Sequence, residues 1–114
     1  MNISDFKSLL ARSEFTPKEI LELLAKDKHH WIRISVARNL NASKEVLEIL
    51  SKDKNSWIRA IVALNPKTPK EILKILSKSE YSHVRNYVAQ NPNITKDILE
   101  TLAKDEDSDV KRDS

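Results

Sequence analysis

At 114 residues, with 39% hydrophobic and 32% charged side chains, the chain suits one domain that buries roughly two thirds of its unfolded surface, and its composition fits a packed interior better than a disordered polymer. It has no cysteine and no glycine, which excludes disulfides, thiolate metal sites, iron-sulfur clusters, cysteine nucleophiles and phosphate-cradling Gly-rich loops. A formal net charge of +3 assists binding to an anionic partner without requiring one.

The opening stretch, MNISDFKSLLARSEF, places charges every few residues and offers no apolar run of the length a signal peptide or membrane span needs, so a cytoplasmic location is expected. Within it, DFKSLLARSE compares with DILETLAKDE further on. That predicts an N-terminal cap helix over 1–15, equivalent to the first helix of a repeat and lacking a second.

From Thr16 the chain repeats without a gap. TPKEILELLAKDKHHWIRISVARNLN, ASKEVLEILSKDKNSWIRAIVALNPK and TPKEILKILSKSEYSHVRNYVAQNPN begin at Thr16, Ala42 and Thr68, and ITKDILETLAKDEDSDVKRDS follows from Ile94. Each start lies 26 residues after the last, which defines full repeats over 16–41, 42–67 and 68–93 and a half-repeat C-terminal cap over 94–114 of one domain, 1–114. The last copy has Asp113 and Ser114 where others have Ile61 or Tyr87 and then Val62 or Val88.

The first half of each copy reads as an amphipathic helix, with Ile20, Leu21, Leu23 and Leu24 recurring as Val46, Leu47, Ile49 and Leu50, then as Ile72, Leu73, Ile75 and Leu76. Leu21, Leu47, Leu73 and Leu99 are expected to form one spine. Thr16-Pro17-Lys18-Glu19 and Thr68-Pro69-Lys70-Glu71 predict a threonine N-cap, proline at the first helical position and a capping-box glutamate. The copies lacking proline are expected to cap through Ser43 or Asn41, and through Thr95 or Asn93. The second half predicts a shorter helix with inward Ile32, Val36 and Ala37, matched by Ile58, Val62 and Ala63 and by Val84, Val88 and Ala89. Asn39, Asn65 and Asn91 then stop it and, in a glycine-free chain, are the residues best suited to a left-handed helix end. One 26-residue unit cannot bury its apolar faces alone, so stacked neighbours must supply the core.

The pattern NP-x-TP-x-E-I/V-L-x-x-L-A/S-x-D, followed by V/I-R-x-x-V-A-x-N, closely resembles the leucine-rich repeat variant (LRV) family from Thr16 to about Lys111. The resemblance implies an all-α, right-handed α-solenoid in which α-helices alternate with shorter, often 3₁₀, helices, related in appearance to HEAT and armadillo repeats. Some members carry a cysteine-rich iron-sulfur segment; its absence here means that no redox role carries over. The family has no shared catalytic residues to transfer.

Several positions form rows along the repeat. Trp31 and Trp57 share one position, continued by His83 and Asp109, next to an inward apolar residue, and are expected to stand partly exposed on one edge, roughly 10 Å apart. Tryptophan in such a row suits partner docking, although an indole can also fold back onto the neighbouring repeat. The loop before it changes from Lys28-His29-His30 and Lys54-Asn55-Ser56 to Glu80-Tyr81-Ser82 and Glu106-Asp107-Ser108. One end of the edge is therefore basic and aromatic and the other acidic, an arrangement that suits an acidic partner or head-to-tail contacts. Arg33, Arg59 and Arg85 form a row ending in Lys111, and Asp27, Asp53 and Asp105 form another, interrupted by Ser79. The simplest reading is structural, with Asp accepting helix N-terminal N–H groups and Arg binding Asp or loop carbonyls next door. His29, His30 and His83 do not converge, so no metal or cofactor is expected, nor is catalysis, since no nucleophile has a base partner. These residues predict a non-catalytic scaffold for a protein partner using Trp31, Trp57 and His83, with a nucleic-acid reading through Lys28, Lys54, Arg33 and Arg59 as the alternative. No membrane or small-molecule substrate is implied.

Overall fold

The computed structural model describes residues 1–105, 107, 110 and 111. Among these the regular structure is all-helical: α1 (Ile3–Arg12), α2 (Lys18–Leu24), α3 (His30–Arg38), α4 (Lys44–Ser51), α5 (Ser56–Leu64), α6 (Lys70–Leu76), α7 (Ser82–Ala89) and α8 (Lys96–Leu102). The expected C-terminal cap residues Asp113 and Ser114, and Glu106, Ser108 and Asp109 of the last loop, lie outside the described residues.

Helices two apart in the chain pack on each other. One row runs α1, α3, α5, α7 and the other α2, α4, α6, along a body measuring 47 × 19 × 18 Å. Between the rows lies the core. Leu21, Leu47 and Leu73 are wholly buried in one apolar cluster, so three of the four expected spine leucines join the core, and Leu99, at the end, is half-buried. From the other row, Ile32, Val36, Ala37, Ile58, Val62, Ala63, Val84 and Val88 are wholly buried and Ala89 nearly so. The apolar stripe of the first helices overshoots this core, for Leu23 and Ile75 are both 69% exposed.

Four local expectations are corrected by the structure. The second helices of each unit are α-helices of 9, 9 and 8 residues, not shorter than the 7, 8 and 7 residues of α2, α4 and α6. The first helices end early because the Lys-Asp-Lys segment is turned by its aspartate, whose Oδ1 accepts a backbone N–H two residues on (Asp27 from His29, Asp53 from Asn55).

Thr16 and Thr68 do not cap the helices they precede. Pro17 and Pro69 take the N-cap positions, with ψ of 150°, and their carbonyls accept the first helical bonds, from Ile20 and Leu21 and from Ile72 and Leu73. Each threonine is buried and donates its hydroxyl backwards at 2.6 Å, to the Leu10 and Val62 carbonyls. It thereby serves the C-terminal end of the preceding helix, where carbonyls have no intrahelical donor. Ser43 does cap as expected, accepting the Val46 N–H at 3.2 Å, whereas the Thr95 hydroxyl donates to Asp97.

No described residue has positive φ, so the asparagines end their helices without a left-handed turn. Asn39 and Asn65 are extended, at φ −69°, ψ 121° and φ −66°, ψ 123°. Their side chains are buried along with that of Asn91 and form a ladder. Asn39 Nδ2 donates to the Ala11 and Ser13 carbonyls (both 2.9 Å), Asn65 Nδ2 to those of Ala37 and Asn39 (2.8 and 3.2 Å), and Asn91 Nδ2 to those of Ala63 and Asn65 (2.7 and 3.0 Å). Each Oδ1 accepts the N–H two residues on, of Asn41, Lys67 and Asn93. One amide thus satisfies the exposed end of the previous unit's helix and its own turn.

The ladder also corrects the register of α1. Asn39 meets Ala11 and Ser13 as Asn65 meets Ala37 and Asn39, so Ser13 occupies the asparagine position. Packed against α3, α1 stands in the row of second helices and is not a displaced first helix. The likeness of DFKSLLARSE to DILETLAKDE misleads because both are amphipathic helices with similar spacing, and only the partner face tells them apart.

Candidate functional site: an aromatic and arginine face

The arginine and aspartate rows interlock between units. Arg33 is 7% exposed; its Nε donates to Asp53 Oδ2 at 2.8 Å and its Nη2 to Oδ1 at 3.4 Å, while Nη1 reaches the Asp27 and Lys28 carbonyls. Arg85 repeats this on Asp105 at 2.7 and 3.2 Å, with Nη1 on the Ser79 carbonyl. In α1 the place of the arginine is taken by Lys7, which binds Asp27 at 2.9 Å. The structural arrangement read from the sequence is therefore present, a cation bound by the acid twenty residues later. Burial opposes the charge on Asp27, but the His29 N–H, Lys7 and the His29 ring outweigh it and hold the carboxyl well below the usual range. At Asp105 the Arg85 guanidinium does the same.

Arg59 differs. Twenty residues on stands Ser79, and among the described residues Arg59 makes no ion pair. Its guanidinium bonds the Asp53 carbonyl through Nη1 and lies 5.6 Å from the centre of the Tyr81 ring. Arg33 is thus consumed inside the fold, Arg59 is half-buried, and Lys28 and Lys54 are exposed; the four do not form one cationic surface.

Trp31 and Trp57 project from the first turns of α3 and α5, 46% and 52% exposed. Their surroundings are unlike. Trp31 contacts rings of its own loop, His29 at 4.5 Å and His30 at 5.3 Å between centroids. Trp57 reaches the next unit, stacking on His83 at 4.0 Å and 19° and meeting Tyr87 edge-on at 6.3 Å. Tyr81 also approaches His83, tilted at 45° with centroids 5.6 Å apart. His83 Nε2 lies 2.9 Å from Ser56 Oγ, so this ring is locked to the preceding unit by a hydrogen bond and a stack. Each indole therefore packs partly, as an aromatic side chain tends to do, and still leaves about half its surface to solvent.

From Trp57 the apolar surface continues through Tyr87 to a groove of about 240 Å³ lined by Ala37, Arg38, Leu40, Ile61, Leu64, Asn65, Pro66 and Tyr87. Leu40 is 58% and Leu64 39% exposed. Sequence reasoning missed this groove, because Leu40 and Leu64 occupy different positions of the repeat and converge only when α3 and α5 are stacked. Residues 30–43, 56–69 and 82–95, which carry α3, α5, α7 and the turns after them, contain no aspartate or glutamate.

No family model, curated protein or solved structure matches the chain. Among the described residues no three histidine, aspartate or glutamate side chains gather as metal ligands, and no helix is long and apolar enough to cross a membrane.

Desolvation, and then the charge of Arg59, push the His83 pKa below its ordinary value of 6.5. The folded state therefore binds a proton at His83 less readily than the unfolded state does. The contribution of the neutral ring is complete above pH 6.5 and is lost as pH falls from there through the folded value. Urea midpoints at pH 7.5 and pH 5 are expected to fall further for the wild type than for His83→Gln; equal falls would show that His83 does not carry the effect.

Proposed function

We propose that the chain is a right-handed α-solenoid of the LRV kind, a single cytoplasmic repeat domain that acts as a non-catalytic scaffold and binds a protein partner on the face of α3, α5 and α7. Support for the solenoid comes from the two helix rows, the asparagine rungs 26–28 residues apart and the cation–acid pairs 20 residues apart. The observation that carries the function is the unbroken run from half-exposed Trp57 across Tyr87 to Leu64 and Leu40. Large aromatics on an exposed apolar face are the residues that supply most binding energy at protein interfaces.

The test is affinity for a partner recovered from cell extract and then purified. Trp57→Ala is expected to weaken binding by about 30-fold, the equivalent of a hot-spot loss of about 2 kcal/mol, and Leu64→Ser, at the far end of the run, to weaken it too, with helix content unchanged. Unchanged affinity in both variants rejects this face. Affinity that collapses between 50 and 200 mM salt instead indicates phosphate recognition by the basic residues, a role for which Arg33 is already engaged by Asp53.

A further inference from the structure

The cation–acid ladder has four rungs by position and one of them lacks its acid. Lys7 binds Asp27, Arg33 binds Asp53 and Arg85 binds Asp105; Arg59 faces Ser79. Each aspartate of the ladder has two tasks. Its Oδ1 accepts the N–H two residues on, from His29, Asn55 or Asp107, and the carboxylate also receives the cation of the preceding unit. Ser79 keeps the first task, its Oγ accepting the Tyr81 N–H at 3.2 Å, and cannot perform the second, because a neutral hydroxyl one atom shorter offers no paired oxygens to a guanidinium fork. The turn is preserved and the carboxylate is missing.

What Arg59 retains is the other half of the pattern. Its Nη1 is anchored on the Asp53 carbonyl, as that of Arg33 is on Asp27 and that of Arg85 on Ser79. This leaves the Nε and Nη2 edge, which in Arg33 and Arg85 binds carboxylate, without an acceptor among the described residues. Glu80, next to Ser79 in sequence, is exposed and makes no ion pair with Arg59. Tyr81 lies against the guanidinium, and His83 and Trp57 stack next to Tyr81, so the edge opens beside the aromatic part of the face described above.

We propose that the Nε and Nη2 edge of Arg59, opposite Ser79, is the receptor for a carboxylate of the partner, an aspartate or glutamate side chain whose neighbouring apolar residue rests on Trp57. This deepens the scaffold reading and rests on it, since it names the chemistry of what that face binds. The fold itself indicates carboxylate over phosphate: twice in this chain the same guanidinium edge, in the same register, takes an aspartate in two-point contact. Such fork-to-carboxylate pairs are directional as well as strong.

Ser79→Asp tests this by supplying the missing rung from within. The probe is a short capped peptide of aspartate and leucine, and the readout is the Arg59 Nε–Hε resonance. In the wild type that resonance is expected to shift saturably with peptide. In Ser79→Asp it should already sit near those of Arg33 and Arg85, respond at least tenfold more weakly, and accompany a higher melting temperature; Ser79→Ala should bind as the wild type does. A second variant, Arg59→Gln, should lose the peptide while its His83 resonances keep the ring-current shift of the Trp57 stack. Equal binding by Ser79→Asp and wild type, equal shifts from an asparagine–leucine peptide, or preferential displacement of the peptide by a short oligothymidylate would each overturn the assignment. Loss of binding in Trp57→Ala with Ser79→Asp unaffected would overturn it and leave the scaffold reading standing.

Discussion

Asn65→Ala is expected to lower the free energy of unfolding by about 3 kcal/mol, through lost hydrogen bonds and not through lost apolar burial. The variant removes three hydrogen bonds at once. Nδ2 no longer serves the Ala37 and Asn39 carbonyls, and Oδ1 no longer accepts the Lys67 N–H. Asn65 is 4% exposed, so water cannot readily replace the amide, and an unsatisfied buried group costs about 1–3 kcal/mol. Asn65→Asp keeps the shape and the bond from the Lys67 N–H but aims one carboxylate oxygen at the Ala37 and Asn39 carbonyls, and should be at least as damaging at neutral pH. Asn93, whose Nδ2 bonds the Pro66 carbonyl on the exposed edge, is the control and should cost about 1 kcal/mol or less as alanine. Urea unfolding with an unchanged m-value measures all three. Equal effects at Asn65 and Asn93 would mean that the buried ladder contributes no more than a surface bond.

Arg33→Ala is the second large effect expected, about 3–5 kcal/mol. Side-chain exposure is 9% for Arg33 and 8% for Asp53, so removing the guanidinium strands a carboxylate that is almost out of water, with the Asn55 N–H as its remaining partner. It also strips the Asp27 and Lys28 carbonyls of their donor. Arg33→Lys should recover little, because an ammonium cannot span both carboxylate oxygens and a loop carbonyl from one planar group. Lys7→Ala provides the contrast. It breaks the same rung in α1, but Asp27, though as buried as Asp53, keeps both the His29 N–H and the His29 ring, and Lys7 is 33% exposed, so a loss of about 1 kcal/mol or less is expected. A chemical denaturation series over the three variants checks the order; a Lys7 effect as large as that of Arg33 would contradict the argument from burial.

Both effects come from polar residues, and polar residues are where the one-dimensional pattern was least informative. The apolar positions were legible: Leu21, Leu47 and Leu73, and Ile32, Ile58 and Val84, recur at the helical period and lie wholly buried. The Asp-to-Arg arrangement was legible too, since two rows at constant spacing require a constant partner. Asn39, Asn65 and Asn91 were recognised as helix ends, but a left-handed backbone was the wrong mechanism. Recurrence at 26 residues with no exception is the signal that marks them as contacts between units. Thr16 and Thr68 read as N-caps because a threonine before proline and glutamate fits that local motif. In the fold the nearer unsatisfied group is the carbonyl behind them, at Leu10 or Val62.

For the candidate site the division is sharper. Exposure of Trp31 and Trp57 followed from their place beside an inward residue, yet the stack of Trp57 on His83, the groove at Leu40 and Leu64, and the unfilled edge of Arg59 join residues from adjacent units. The interrupted aspartate row was visible as letters; that Ser79 faces Arg59, twenty residues away, was not.

By itself the sequence determined that this chain is helical, that its helices recur every 26 residues, and that Leu21, Leu47, Leu73, Ile32, Ile58 and Val84 face the core, because the apolar period is a local property of a helix and is written along it. Tertiary structure alone decided that α1 joins the row of second helices, that buried amides tie each unit to the one before, and that one arginine is left without its acid. Those outcomes depend on which groups meet across a stack, and a hydrogen bond is settled by the position and direction of both partners, whereas a repeat pattern specifies each of them separately.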